Sequence, residues 1–152
     1  MQFIVEGGDY YSIWYSDIED GFITLNKKIL SFNNERDLRK YCQKKSIELA
    51  EYITVYDIDD LICKNKVKNT EINCKSVLDF WNIISDASRS LHVLFCGDRV
   101  CYNPIYEKLL CGCNLEALSG KYYKPIWTRK EIDTIQDILN KGYRILRKYL
   151  LQ

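Results

Sequence analysis

The strongest constraint on the fold lies near the C-terminus. Thr128-Arg129-Lys130-Glu131 has the form of a helix capping box, and Trp127 stands at the hydrophobic-staple position just before it. Ile132, Ile135, Leu139, Gly142, Leu146 and Tyr149 then recur at alternating three- and four-residue steps. An amphipathic helix of that kind must bury one face along the side of a domain. Gly142 either ends this helix as a C′ residue or lets it approach a neighbour closely. The N-terminal end is patterned differently. Residues 10–15 and 21–25 are β-branched or aromatic, and 16–20 between them reads as a hairpin loop. Lys28–Phe32 is a further short strand. No internal repeat or Pro/Gly-rich linker divides the two patterns. The chain is therefore expected to form a single α+β domain over residues 1–152, with an N-terminal antiparallel sheet and a helix-rich C-terminal part.

Between these ends the signals are local. Asn33 or Asn34 caps a helix from Glu35 to about Lys45. Ile47–Tyr56 fits a more buried strand, and Asp57 caps a short helix over Ile58–Asn65. Ser76-Val77-Leu78-Asp79 resembles a capping box, with helical spacing continuing through Trp81, Ile84 and Ser88 to about Ser90. His92–Cys96 reads as a buried strand. Pro104 starts a short helix through Leu110, and Gly112 stops it.

Composition excludes several classes. Apolar residues make up 47% and charged residues 28% of the chain, the balance of a globular domain rather than a disordered one. Met1–Glu6 lacks a basic leader, and no run approaches the ~18 apolar residues of a membrane span. The seven cysteines contain no C-x-x-C and read as reduced, mostly buried thiols in a cytoplasmic protein. Cys96, Cys101, Cys111 and Cys113, with His92 upstream, do not have the spacing of a zinc ribbon or finger. No metal or other cofactor is expected.

Catalytic signals are correspondingly thin. A nucleophile needs a neighbouring base, and His92 is the sole histidine. On a strand, His92 and Cys96 would share a face yet sit about 13 Å apart at ~3.3 Å per residue. Gly7-Gly8 is not a dinucleotide fingerprint, and no Gly-Lys-Ser/Thr occurs. Asp57, Asp59 and Asp60 lack the Gly and Glu positions of a calcium loop. Basic groups stand at Lys44-Lys45, at Lys64, Lys66 and Lys68, and at Lys141, Arg144, Arg147 and Lys148. With a sequence pI near 7.5, helix-end dipoles explain them more simply than nucleic acid does.

The acids are distributed unevenly. Residues 1–25 carry Glu6, Asp9, Asp17, Glu19 and Asp20 with no Lys or Arg. Residues 46–63 carry Glu48, Glu51, Asp57, Asp59 and Asp60, again without a base, although the chain totals 22 bases and 21 acids. Sorted charge of this kind presents a single-sign patch to an oppositely charged partner. Tyr15 beside Asp17, Glu19 and Asp20, and Tyr56 beside Asp57, Asp59 and Asp60, pair an aromatic anchor with carboxylates. Such pairs are suited to binding a basic protein rather than to catalysis.

Four strings appear in order over roughly residues 26–140. They are Tyr56-Asp57-Ile58-Asp59-Asp60-Leu61, Leu78-Asp79-Phe80-Trp81-Asn82 leading to Asp86, Tyr106-Glu107-Lys108-Leu109-Leu110 with Asn114-Leu115 after it, and Pro125-Ile126-Trp127-Thr128 with Glu131-Ile132. Together they resemble immunity proteins of bacterial polymorphic toxin systems, such as contact-dependent growth inhibition. The resemblance implies a cytoplasmic, non-enzymatic protein that binds and neutralises the C-terminal domain of a cognate toxin, often a nuclease. It implies neither a nucleic-acid nor a membrane partner. Within the strings, Trp81 is expected to anchor the core, and Asn82 with Asp86 to tie its helix to a nearby loop. The alternative is a small cysteine-dependent hydrolase or transferase using Cys96 or Cys101 with His92.

Overall fold

A computed structural model of the chain describes residues 1–66, 72–114 and 122–150. Lys68 and Leu115, singled out above, lie outside these. The chain opens with a tight hairpin, β1 (Gln2–Val5) and β2 (Gly8–Ser12), turned by Glu6 and Gly7. Both turn residues have positive φ, 52° and 72°, as a two-residue turn matching strand twist requires. The strands expected at 10–15 and 21–25 appear in pieces. These are β2, β3 (Trp14–Tyr15), β4 (Gly21–Phe22) and β5 (Thr24–Leu25). The Ile23 N–H still reaches the Ile13 carbonyl at 3.0 Å across the break. β5 turns back through Asn26 and Lys27, both at positive φ, into β6 (Lys28–Ile29), and β7 (Ser31–Phe32) follows.

α1 (Glu35–Lys45) starts where expected, with the Asn34 side chain accepting the Asp37 N–H at 2.9 Å. The stretch 47–56 corrects the sequence reading. Only β8 (Val55–Asp57) is strand, and Glu48, Glu51 and Tyr52 are exposed. Carboxylates inside that run cannot be buried unpaired, so the chain crosses the surface until it meets β1. The four-stranded sheet has the order β7-β2-β1-β8, antiparallel except for β8, which pairs parallel to β1.

α2 (Ile58–Lys66) leaves β8 directly, capped by Asp57, whose carboxylate accepts the Asp60 N–H at 2.8 Å. α3 (Cys74–Leu91) begins earlier than its expected capping box, because Asn73 takes the cap and accepts the Ser76 N–H at 3.1 Å. His92 ends α3 in the left-handed conformation, φ 54°, with its N–H on the carbonyls of Ser88 and Arg89. The expected buried strand at 92–96 is therefore absent. Leu94 is 97% exposed while Phe95 tucks against Trp81, and the chain continues as two short 3-10 turns, Cys96–Asp98 and Val100–Tyr102.

α4 (Asn103–Gly112) has Pro104 in its first turn. α5 (Arg129–Leu150) carries the capping box as read, with Thr128 N–H donating to the Glu131 carboxylate at 2.7 Å and Glu131 N–H to the Thr128 hydroxyl at 3.3 Å. Gly142 lies inside α5, which settles its role. A Cβ there would stand 2.9 Å from a Phe80 ring carbon and 3.1 Å from Ile84, so its absence permits the close crossing of α3 and α5.

Tyr10 packs into the main core and Tyr11 into a second, so neighbouring residues of β2 face opposite sides of the sheet. The main core joins Phe3, Val5 and Phe22 to α2, α3 and α5. The smaller one, Ile13 with Leu38 and Cys42, lies beneath α1. α3 is the spine. Its Val77, Phe80, Trp81, Ile84 and Ala87 face inward, which leaves Asp79, Asn82, Asp86 and Arg89 on the opposite face. Among the described residues no helix is long and apolar enough to cross a membrane.

Candidate functional site: an acidic groove along α3

The polar face of α3 forms the floor of a surface groove. One section, of about 590 Å³, lies between the first turns of α3 and the chain from Thr54 through Leu61. A second section, also about 590 Å³, continues past Tyr56, Asp79 and Asn82 to Asp86, Arg89 and Asp20. The two share Thr54, Tyr56 and Asp79, so they read as one trough. Asp20 stands at one end of it and Asp57 and Asp60 at the other, while Tyr15, Asp17 and Glu19 of the first acidic segment lie outside its lining.

The loop 16–20 is fully exposed, with Ile18 95% accessible at its tip and Tyr15 at its base. Three contacts pin its ends to the last turns of α3. The Arg89 guanidinium donates to the Asp20 carbonyl at 2.8 Å, Phe22 N–H donates to the Ser90 hydroxyl at 2.8 Å, and the Trp14 indole donates to Asp86 at 2.9 Å. Asp17, Glu19 and Asp20 consequently project from a fixed base. Burial raises the Asp86 carboxyl above its ordinary range, with the Trp14 N–H and the Arg89 charge working against that rise.

The second segment divides by role. Tyr56 is half-buried in the trough, its ring stacked on Phe3 at 6.0 Å and 25°. Burial, and then the charge of Asp79, push its hydroxyl pKa up, so it stays a neutral phenol. Asp60 lines the groove and pairs with Lys64 at 2.6 Å. Asp57 also lines it, but one of its oxygens caps α2. Asp59 does not line the groove. Its two oxygens accept the N–H groups of Glu6 and Gly7 at 2.9 and 2.8 Å, fastening the β1–β2 turn to the start of α2.

Three groove groups were not among the expected contact residues: Asp79, Asp86 and the hydroxyl of Tyr106. The signal was present, because Asp79, Asn82, Asp86 and Arg89 recur at helical steps opposite the apolar face. Trp81 is core, as expected, and is flanked edge-on by Tyr106 at 5.6 Å. Asn82 and Asp86 tie α3 to separate neighbours, Asn82 accepting the Tyr106 hydroxyl at 2.8 Å and Asp86 the Trp14 indole.

The remaining candidates are placed differently. His92 is an exposed helix cap, and no hydrogen bond joins it to a cysteine among the described residues. Burial pushes the Cys96 thiol up, away from the thiolate a nucleophile needs. The cysteines are not mostly buried as expected: only Cys42 and Cys74 are, while Cys63, Cys101 and Cys111 are exposed and Cys96 and Cys113 half-buried. Among the described residues no three His, Cys, Asp or Glu side chains gather as a metal site. On α5, Lys141 pairs with Asp137, Arg147 with Glu6, and Lys148 lies over the Tyr149 ring. No protein-family model matches the chain, and no curated protein or solved structure is significantly similar to it.

Proposed function

We propose that this protein is an immunity-type inhibitor, acting in the cytoplasm, that binds the C-terminal domain of a cognate toxin and neutralises it. One observation carries the reading: two acidic segments far apart in sequence flank a single groove. Its lining includes five aspartates (Asp20, Asp57, Asp60, Asp79, Asp86) against three basic side chains and the α-amino group of Met1; Lys64, Lys75 and Arg89 pair with Asp60, Asp79 and Asp86, which leaves Asp20 and Asp57 without a basic side-chain partner there. The aromatic rings of Tyr56 and Tyr106 line the same trough and add area for burial. A domain that degrades nucleic acid holds phosphate backbones with Lys and Arg, and carboxylates placed against those bases compete for them. The inhibitor then needs no chemistry of its own.

The test is co-purification at low salt from the native operon. The expected result is a basic domain recovered in near-equal amount, lethal when expressed alone and harmless with this protein. Recovery of the protein alone overturns the reading. Reversing Asp17, Glu19 and Asp20 together to Lys is expected to slow association about tenfold at low salt. The difference should shrink at ~1 M salt, where the Debye length falls to about 3 Å. These three side chains suit that test because none of them caps a helix or closes a turn among the described residues.

A further inference from the structure

α3 and α4 pack antiparallel, and a cysteine stands where α3 begins and where α4 ends. Midway along the pair, Trp81 and Asn82 of α3 hold Tyr106 of α4, through an edge-on ring contact at 5.6 Å and a hydrogen bond at 2.8 Å. Further along α4, a Cβ added to Gly112 would stand 2.5 Å from the Cys74 sulfur and 3.1 Å from the Cys74 Cβ. Cys74 is the first residue of α3 and is buried, and Cys113 follows Gly112 directly. Helical spacing puts Cys113 on the same face of α4 as the fully buried Leu109, one turn before it. The Cys113 thiol lies 3.3 Å from the Leu109 carbonyl, and both Cys74 and Cys113 belong to the main core. Gly112 has no side chain to stand between them. Burial pushes both thiols up, and the charge of Cys113 adds to the rise at Cys74. Cysteines that pair in a reducing compartment do so transiently, as redox-responsive sites.

We propose that Cys74 and Cys113 are a redox site, a thiol pair that closes into a reversible disulfide by exchange with glutathione disulfide. The thiolate of Cys113, the more accessible of the two, attacks one sulfur of glutathione disulfide and expels a glutathione thiolate, which takes up the proton Cys113 has lost. The Cys74 thiolate then attacks the Cys113 sulfur of this mixed disulfide and expels the second glutathione, which takes up the Cys74 proton. Two protein thiols are thereby oxidised and one glutathione disulfide is reduced to two thiols. The new bond ties the first residue of α3 to the end of α4. Lys75, Ser76 and Asp79 follow Cys74 on α3 and line the groove, so the bond braces that wall. Closure needs no protein partner and stands apart from the inhibitor reading.

The test incubates the full reduced chain in glutathione buffers of rising disulfide fraction, caps the free thiols with iodoacetamide and maps the peptides by tandem mass spectrometry. The expected product is a Cys74–Cys113 linkage, lighter by two hydrogens and opened again by dithiothreitol. Closing so long a loop should raise Tm by about 5–10 °C. Because both thiols titrate above the ordinary range, closure should quicken as pH rises from about 7 to about 9. Cys113→Ser should abolish both the linkage and the rise in Tm, and Cys111→Ser should leave both in place. Mapping of the unsubstituted chain reads the pairing even where a variant fails to fold. A linkage of Cys74 to Cys111 instead overturns the inference. So does glutathione attached singly to Cys63, Cys101 or Cys111 while Cys74 and Cys113 stay free, and so does no reaction at all.

Discussion

Asp59→Ala separates acids that hold the fold from acids that face a partner. The Asp59 carboxylate accepts two backbone N–H groups, at 2.9 Å from Glu6 and 2.8 Å from Gly7, and it sits in the first turn of α2. A hydrogen bond to a charged group contributes about 1.5–3 kcal/mol when protected, and about 1 kcal/mol is the fitting figure for this exposed site. The dipole of α2 adds roughly 0.3 kcal/mol. Truncation frees the two turn amides to water rather than stranding them, so no desolvation penalty is added. The expected loss is about 2 kcal/mol, which for a domain of this size lowers Tm by about 4–8 °C. Thermal unfolding followed by circular dichroism reads the total, and hydrogen exchange at Glu6 and Gly7 reads the turn itself. The control is the triple alanine variant of Asp17, Glu19 and Asp20, expected within about 0.5 kcal/mol of the parent. If Asp59→Ala melts like the parent and the two amides exchange unchanged, the assignment of Asp59 to the fold is refuted. The same contacts mean that reversing Asp57, Asp59 and Asp60 together would test folding and binding at once.

Three further outcomes are expected. Gly142→Ala gains about 1 kcal/mol of helix propensity but sets a Cβ 2.9 Å from the buried Phe80 ring. Overpacking of that kind costs about 1–3 kcal/mol, so urea denaturation should show a net loss that Phe80→Leu partly relieves. Asn73→Ala removes the α3 cap and should cost about 1 kcal/mol, lowering the urea midpoint without changing its slope. The Glu131 carboxyl is held down to about 2, from an ordinary 4.5, first by the Lys108 ammonium and then by the Thr128 N–H. A depressed acid stabilises above its unfolded pKa. Its contribution, screened to roughly 1 kcal/mol, should fade as pH drops from about 4.5 to 2 and be missing from the pH profile of Glu131→Gln.

The sequence by itself determined what depends on local chemistry. The capping box at Thr128 and Glu131, the Asp57 cap of α2, the apolar stripe of α5 and the polar line along α3 each follow from side chains a few residues apart, so they were legible before any contact was known. The strand expected at 92–96 is absent because an apolar run does not distinguish a buried strand from a helix cap followed by an exposed loop. His92 takes the left-handed cap, and only the position of Trp81 decides that Phe95 is buried while Leu94 is not. The run 47–56 failed for a related reason, since a strand needs a partner edge and β1 offers one for three residues only. Tertiary structure alone decided which carboxylates are presented. Asp57, Asp59 and Asp60 are near neighbours in sequence, yet one caps a helix, one clamps a turn and one faces the groove. The physical reason is that an acid is spent on whichever unpaired N–H the folded chain brings to it, and that N–H can come from residues fifty positions away.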